Sequence, residues 1–320
     1  MRRNPVPKNH NPENFGGQNL FTSPYFMRYW LESLLAKILS AFLTLLPFSV
    51  CDGIARKAGD LGFFLLRKRR AIAISNLDKA FGTSLPPERK NQIARAAFQN
   101  IAVSMTELFL IQKIEKDARS RFELEGREIL DRAFERGKGV ALVISHLGSW
   151  EYLSFLPYLT KHPWSVVVKA LKNPHLNSMI DRLRRVTTVN PIYKVGSIRK
   201  VMQEIRANHG VAILIDQWAG GDGIWVDFFA HPSSTTSIPA RLAKKTGCAL
   251  VPAHCLRTAP GKYRIQILPE FAFDSQSQNW EHETTLKLNQ ELEKRILKHP
   301  EEWLWGHKRW KPKPVFSRDI

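Results

Sequence analysis

The sequence predicts an α/β protein: a mainly parallel sheet flanked by helices, preceded by a helical membrane-associated N-terminal region. After about Glu123, short apolar runs at Val140–Ile144, Val166–Val168, Val211–Ile215 and Ala249–Val251 alternate with helical stretches. Buried strands alternating with helices imply parallel strands covered on both sides. Upstream, residues 51–122 are patterned as helix throughout, and residues 25–50 turn apolar. The chain thus divides into a tail over 1–24, a membrane-associated helix over 25–50, and a main domain over 51–320. That domain is helical over 51–122 and α/β over 123–320.

The tail is rich in Asn, Pro and Gly without periodicity and reads as flexible. It lacks the apolar region and cleavage site of a signal peptide. In the next segment Arg28, Glu32 and Lys37 interrupt the first half, and Pro47 breaks the end. The charge-free apolar stretch Ile38–Leu46 falls short of the roughly 20 residues that a spanning helix needs. Tyr25, Tyr29 and Trp30 resemble an interfacial aromatic belt. A helix lying in one leaflet is expected, with a buried core helix as the alternative. The cluster Arg67–Arg70 follows the apolar Leu61–Leu66 and suits an anionic membrane surface, or equally a solvated helix face. Farther on, Ser197–Asn208 places Ile198, Val201, Met202 and Ile205 on one helix face, with Ser197 as cap and Gly210 as stop.

Lys and Arg number 48 against 29 acidic residues, a net charge of +19. Such a surface attracts polyanions, whether nucleic acid, anionic lipid headgroups or acidic carrier proteins, and charge alone does not choose among them. Cys51, Cys248 and Cys255 are few, odd in number and widely spaced, so neither a disulfide framework nor a metal site is expected. The pair His254–Cys255 reads as sheet core.

The run Val140–Ile144 leads into Ser145-His146-Leu147-Gly148-Ser149-Trp150-Glu151. The carboxyl end of a strand is where α/β sheets bind ligands, which singles out His146. Gly148 permits a tight turn, and Ser149 is a candidate cap for the helix that follows. On one continuous helix His146 and Glu151 would stand about 140° apart. With His146 on the turn and Glu151 in the first helical turn, the carboxylate is expected to fold back onto the imidazole. A carboxylate on one ring nitrogen fixes the tautomer and raises basicity at the other, as a general base acting on a hydroxyl requires.

The segment SHLGSWE resembles the H-x-x-x-x-(D/E) motif of glycerolipid-type acyltransferases, and specifically its H-x-G-x-W-E form in the lipid A biosynthesis acyltransferases. Lys172-Asn173-Pro174 followed by Arg184 resembles that family's N-P…R block. Leu214-Ile215-Asp216-Gln217 resembles its strand-ending D-Q motif. Val226-Asp227-Phe228-Phe229, then Thr235 to Ala243, resembles its F-F block and the following helix. Trp303 to Lys313 resembles its W…R-W-K terminus. The five blocks keep family order and span most of residues 25–314. Two positions depart from the pattern: Lys169 stands where Arg is common, and Ala230 where Gly follows the paired Phe.

The resemblance implies acyl transfer from an acyl carrier protein thioester to a hydroxyl of a lipid A precursor, without metal or cofactor. His146 would accept the hydroxyl proton and Glu151 would orient His146. Arg184 and Asp216 would act near the reacting centre, Arg184 by stabilising an oxyanion. A parallel sheet places Asp216 on the same edge as His146. Lys169, Asn173 and Gln217 would contact substrate, Phe228 and Phe229 would be packing residues that wall an acyl groove, and the terminal tryptophans with Lys308, Arg309, Lys311 and Lys313 would clamp anionic headgroups or else only pack and solvate. The implied partners are acyl carrier protein, an anionic lipid or glycolipid, and the cytoplasmic face of an inner membrane, with no nucleic acid. Acyl-CoA as donor and another glycolipid as acceptor are the nearest alternatives. A non-enzymatic binder of membrane or nucleic acid is the remote one, since no binding module of interleaved basic and aromatic residues stands out.

Overall fold

The computed structural model describes residues 25–272 and 276–312, so the expected tail over 1–24 and Lys313 lie outside the described residues. Six helices come first: α1 (Phe26–Leu45), α2 (Phe48–Leu65), α3 (Arg67–Phe81), α4 (Pro87–Phe109), α5 (Ile111–Glu115) and α6 (Ala118–Arg121). Pro47 separates the first two because it offers no backbone N–H to continue a helix. α2 lies against α4 so closely that a Cβ on Gly59 would come within 2.4 Å of the Gln99 Cα. α1 behaves differently from a core helix. Leu43 is buried, whereas Trp30, Leu31, Leu35, Ile38, Leu39 and Phe42 face outward. No helix among the described residues is long and apolar enough to cross a membrane.

The α/β part continues with β1 (Phe122–Glu125), α7 (Arg127–Glu135), β2 (Val140–Ile144), a 3₁₀ turn (Trp150–Phe155), α8 (Leu156–Thr160), β3 (Trp164–Val168), α9 (Pro174–Val186), β4 (Asn190–Tyr193), α10 (Ser197–Arg206) and β5 (Gly210–Leu214). It ends with the hairpin β6 (Ile224–Phe228) and β7 (His231–Thr235), then α11 (Ile238–Thr246), β8 (Ala249–Ala259), β9 (Lys262–Ile267) and α12 (Trp280–Lys298). The seven-stranded sheet has the order β1-β9-β8-β2-β5-β3-β4, parallel throughout except where β9 turns back antiparallel on β8. The four expected strands are all present. α10 is also present, but Gly196 in the left-handed region precedes it, with no side-chain cap, and Asn208 at φ 60° ends it before Gly210.

Alternate side chains of the central strands feed two cores. Leu142, Ile144 and Ala212 pack with Leu153, Leu156, Trp164 and Leu183 on one face. Ala141, Val143, Val211 and Ile213 pack with Val201, Ile205 and Leu242 on the other. His254 and Cys255 are buried in β8, as sheet core. β2 and β5 stay paired to their last residues, Ile144 opposite Leu214. The β3–β5 ladder stops earlier, at Val166 opposite Ala212, while β3 continues with β4 to Val168 opposite Tyr193. The sheet therefore parts between β5 and β3 at its carboxyl edge, which is where a large cavity opens.

Candidate active site

His146 and Asp216 each follow the last residue of their strand by two positions, and the in-register pairing of β2 with β5 brings them face to face. The His146 Nδ1–H donates to Asp216 Oδ1 at 2.9 Å, and the His146 backbone N–H donates to Oδ2 at 2.9 Å. The Trp303 indole Nε1–H donates to the same Oδ2 at 2.9 Å. With Asp216 fixing the proton on Nδ1, the lone pair of Nε2 is left free to accept, and the Gln217 side-chain amide stands 3.3 Å from it. This corrects the expectation for Glu151. The carboxylate on the imidazole belongs to Asp216, across the sheet, and not to the residue five positions along the chain.

Glu151 turns the other way. Its two oxygens receive Arg184 Nη2 at 2.8 Å and Nε at 3.1 Å, a bidentate pair with both side chains 16% exposed. The reason lies in local structure: the residues after the turn form a 3₁₀ turn, not an α-helix, and Ser149 makes no cap. The Ser149 hydroxyl instead accepts from Arg257, and Gly148, at φ 63°, lies so near β8 that a Cβ would come within 2.3 Å of the Cys255 carbonyl oxygen.

Burial opposes charge on the His146 imidazole, but the charge and hydrogen bond of Asp216, with the charge of Glu151, outweigh it and leave its pKa raised. Asp216 is fully buried, which favours its neutral form, yet His146 and the Trp303 N–H hold its carboxyl down to about 2. Asp216 is therefore a permanent anion at neutral pH. Burial, foremost, puts His307 at about 4 and His254 at about 4, so both are neutral when His146 titrates.

His146, Trp150, Glu151, Arg184 and Gln217 line a cavity of about 750 Å³ that runs into the parting of the sheet, where Val166, Val168, Ala212 and Leu214 surround it. Lys169 stands exposed on its lining. The other expected substrate residues sit elsewhere. Asn173 caps α9, accepting from the His175 and Leu176 N–H groups, while its Nδ2 donates to the Tyr29 carbonyl and to Glu32; it fastens α1 to α9. Phe228 is fully buried among Trp303, Trp310 and Phe229 and does not line the cavity; nor does Phe229. Arg309 is likewise buried, with its guanidinium on carbonyl oxygens, so it is no headgroup clamp, whereas Lys308 is exposed.

Two groups beside the pair take parts that the sequence did not show. Trp303 touches Asp216 from far along the chain, and Arg257 ties the turn after His146 to α4 through Glu107 at 2.6 Å and Asn100 at 3.0 Å. Arg257 stands beyond the expected strand Ala249–Val251, and its burial within β8 shows only in the structure.

An imidazole backed by a buried carboxylate, opening on a largely apolar cavity, is suited to activate a hydroxyl beside an aliphatic chain. Comparison with known proteins narrows the class. The profile of the bacterial lipid A biosynthesis acyltransferases matches residues 22–312, and the chain belongs to that family. It is an O-acyltransferase. It is 26% identical to a lipid A biosynthesis palmitoleoyltransferase of Escherichia coli over 296 residues, covering 90% of this chain and 93% of that one. A phosphatidylinositol mannoside acyltransferase of Mycobacterium tuberculosis is 28% identical over 189 residues, 58% of each chain. Among solved structures, a 1-acyl-sn-glycerophosphate acyltransferase from Thermotoga maritima aligns with a TM-score of 0.35 and 16% identity, covering 80% of this chain and all of the other.

Proposed function

We propose that this enzyme moves a fatty-acyl chain from an acyl carrier protein thioester to a hydroxyl of a lipid A precursor, with His146 as general base. The observation that carries the proposal is the His146–Asp216 hydrogen bond at the head of the cavity. His146 Nε2 takes the proton as the acceptor oxygen attacks the thioester carbonyl. The tetrahedral intermediate then expels the thiolate, the C–S bond breaks, and the imidazolium returns the proton to sulfur. The Gln217 amide, beside Nε2, is placed to donate to the acceptor or to the developing oxyanion. Arg184, held by Glu151, supplies positive charge on the cavity wall. The parted sheet offers the acyl chain an apolar seat.

A second feature supports a bilayer as the meeting place. Besides the outward apolar side chains of α1, Ile54, Leu61 and Phe64 of α2 are exposed, and Arg67–Arg70 begin α3 directly after α2 ends. An exposed apolar face next to a basic cluster suits a helix pair lying on an anionic surface, at the cytoplasmic face of an inner membrane in this proposal. Replacing Leu35 and Ile38 by Glu, both exposed, should leave the fold intact and shift the protein from floated anionic vesicles to the soluble fraction. Undiminished flotation in 1 M salt would refute this anchor.

The reaction itself is tested with purified lipid A precursor and equal concentrations of acyl carrier thioester and acyl-CoA bearing the same chain, the product read by mass spectrometry. Faster transfer from the carrier is expected, and His146→Ala should lower turnover by about 10²–10⁴. Preference for acyl-CoA would remove the carrier. A folded His146→Ala enzyme of unchanged turnover would remove the general base. The likeness to the phosphatidylinositol mannoside enzyme favours a glycolipid acceptor as second reading, distinguished by offering both acceptors side by side.

A further inference from the structure

We infer that the segment Trp303–Arg309 is a clasp that positions the catalytic groups: Trp303 orients the Asp216 carboxylate, and Arg309 holds the backbone of Gln217. The inference rests on the proposed role of His146 and Asp216 and adds residues that touch neither substrate nor the reacting atoms.

The bonds converge from one short segment onto both strand ends. Trp303 Nε1–H donates to Asp216 Oδ2, which leaves Oδ1 to the imidazole. Trp303 also pairs through its backbone with Leu147, and the Leu304 N–H donates to the His146 carbonyl at 3.2 Å. His307 Nε2 accepts from the Trp218 backbone N–H at 3.2 Å. Arg309 Nη1 donates to the Gln217 carbonyl at 2.8 Å and to the Ser234 carbonyl at 3.1 Å, while Nη2 donates to Thr235 Oγ1 at 2.7 Å. Each residue from Asp216 to Trp218 is thus held by the segment, and so is His146.

Packing alone does not call for these groups. Trp303 is 1% exposed, packed edge-on against Trp305 and Phe228, contacts that an aromatic ring without an N–H could also make. Arg309 is 0% exposed, and its guanidinium donates to neutral acceptors and lies 5.0 Å from the Phe228 ring. Burying a guanidinium without a carboxylate on it is costly, and an apolar residue of like size would avoid the cost. What the cation supplies, and an apolar residue could not, is a fork of donors fixed on the carbonyl of the residue whose amide stands at His146 Nε2.

The segment is itself anchored. Asn76 of α3 donates to the Trp305 and His307 carbonyls, both at 2.7 Å, and Asn100 of α4 donates to the Glu302 carbonyl at 3.0 Å. A clasp needs such a footing, because a loose segment could not hold the carboxylate to within a fraction of an ångström.

The test uses Trp303→Phe, which removes the indole N–H and keeps a smaller aromatic ring, and Arg309→Lys, which keeps the charge and removes the fork. Each is compared with His146→Ala in the full-length enzyme. Both should lower kcat by about tenfold or more with KM for donor and acceptor within twofold, as expected for misplaced catalytic groups. In NMR spectra the low-field His146 Nδ1–H proton, absent in His146→Ala, should shift in Trp303→Phe. In the unmodified enzyme the Trp303 indole N–H resonance should follow the titration of His146, a readout that needs no variant to fold. Wild-type kcat in both variants, or an indole resonance indifferent to that titration, overturns the clasp while an inactive His146→Ala leaves the general base standing. An active His146→Ala overturns the general base instead.

Discussion

Two carboxylates lie near His146, and they do opposite jobs. Asp216 is sealed off, its side chain 1% exposed, and it accepts from the imidazole, the His146 backbone and one indole. Glu151 lines the cavity and is held by a guanidinium. The first faces inward and sets the direction and basicity of the imidazole. The second faces the cavity and fixes a positive charge on its wall. The difference shows that sequence proximity is a poor guide to which carboxylate serves a histidine: the partner is 70 residues away, and the neighbour in the chain is engaged elsewhere.

The largest effect that separates them is on rate. Asp216→Asn keeps the shape and removes the charge, and should lower kcat by about 10² or more, because the imidazole loses both its fixed tautomer and its counter-charge. Equal turnover by stopped assay would erase the distinction. Glu151→Gln should cost less, about 10–10²-fold, through disorder of Arg184 on the wall. The pair also bears on stability. Arg184→Met strands a largely buried carboxylate and should cost about 3–5 kcal/mol by urea unfolding, whereas Arg184→Met with Glu151→Leu should recover much of it. A double variant no more stable than Arg184→Met would mean that the two residues are not coupled.

The smallest effect lies outside both carboxylates and serves as a control. The β6–β7 hairpin turns through Phe229 and Ala230, both left-handed, at φ 50° and 54°. Gly tolerates that region without a Cβ clash, so Ala230→Gly should stabilise the fold by about 1 kcal/mol, seen as a rise in Tm, with kcat unchanged. A fall in Tm would show that Ala230 packs more than it strains.

Much of this was legible in the sequence, and the gaps have physical reasons. The central strands announced themselves because both faces are buried and their residues run apolar without alternation. Placement of His146 and Asp216 on one sheet edge followed from parallel strands. Their direct pairing did not, because it depends on register, which the sequence specifies only once both strand ends are known. For Arg309 and Phe228 the sequence left packing and substrate contact both open, because an Arg or Phe near a site can face substrate or support what does, and residue type does not reveal which. Asn173 likewise sits in a recognisable motif yet joins two helices.

The central claim, that Asp216 and not Glu151 governs His146, meets its most direct test in the pH dependence of kcat/KM. A general base must be neutral, so activity should rise as pH climbs through the raised pKa of His146, on a limb above the ordinary histidine value. His307 and His254, both at about 4, titrate well below that limb and cannot be mistaken for it. In Asp216→Asn the limb should move to lower pH, since burial would then act without its main opponent, and the plateau should fall. In Glu151→Gln the limb should move in the same direction but less. A limb that stays put in Asp216→Asn, or moves farther in Glu151→Gln, would contradict the account.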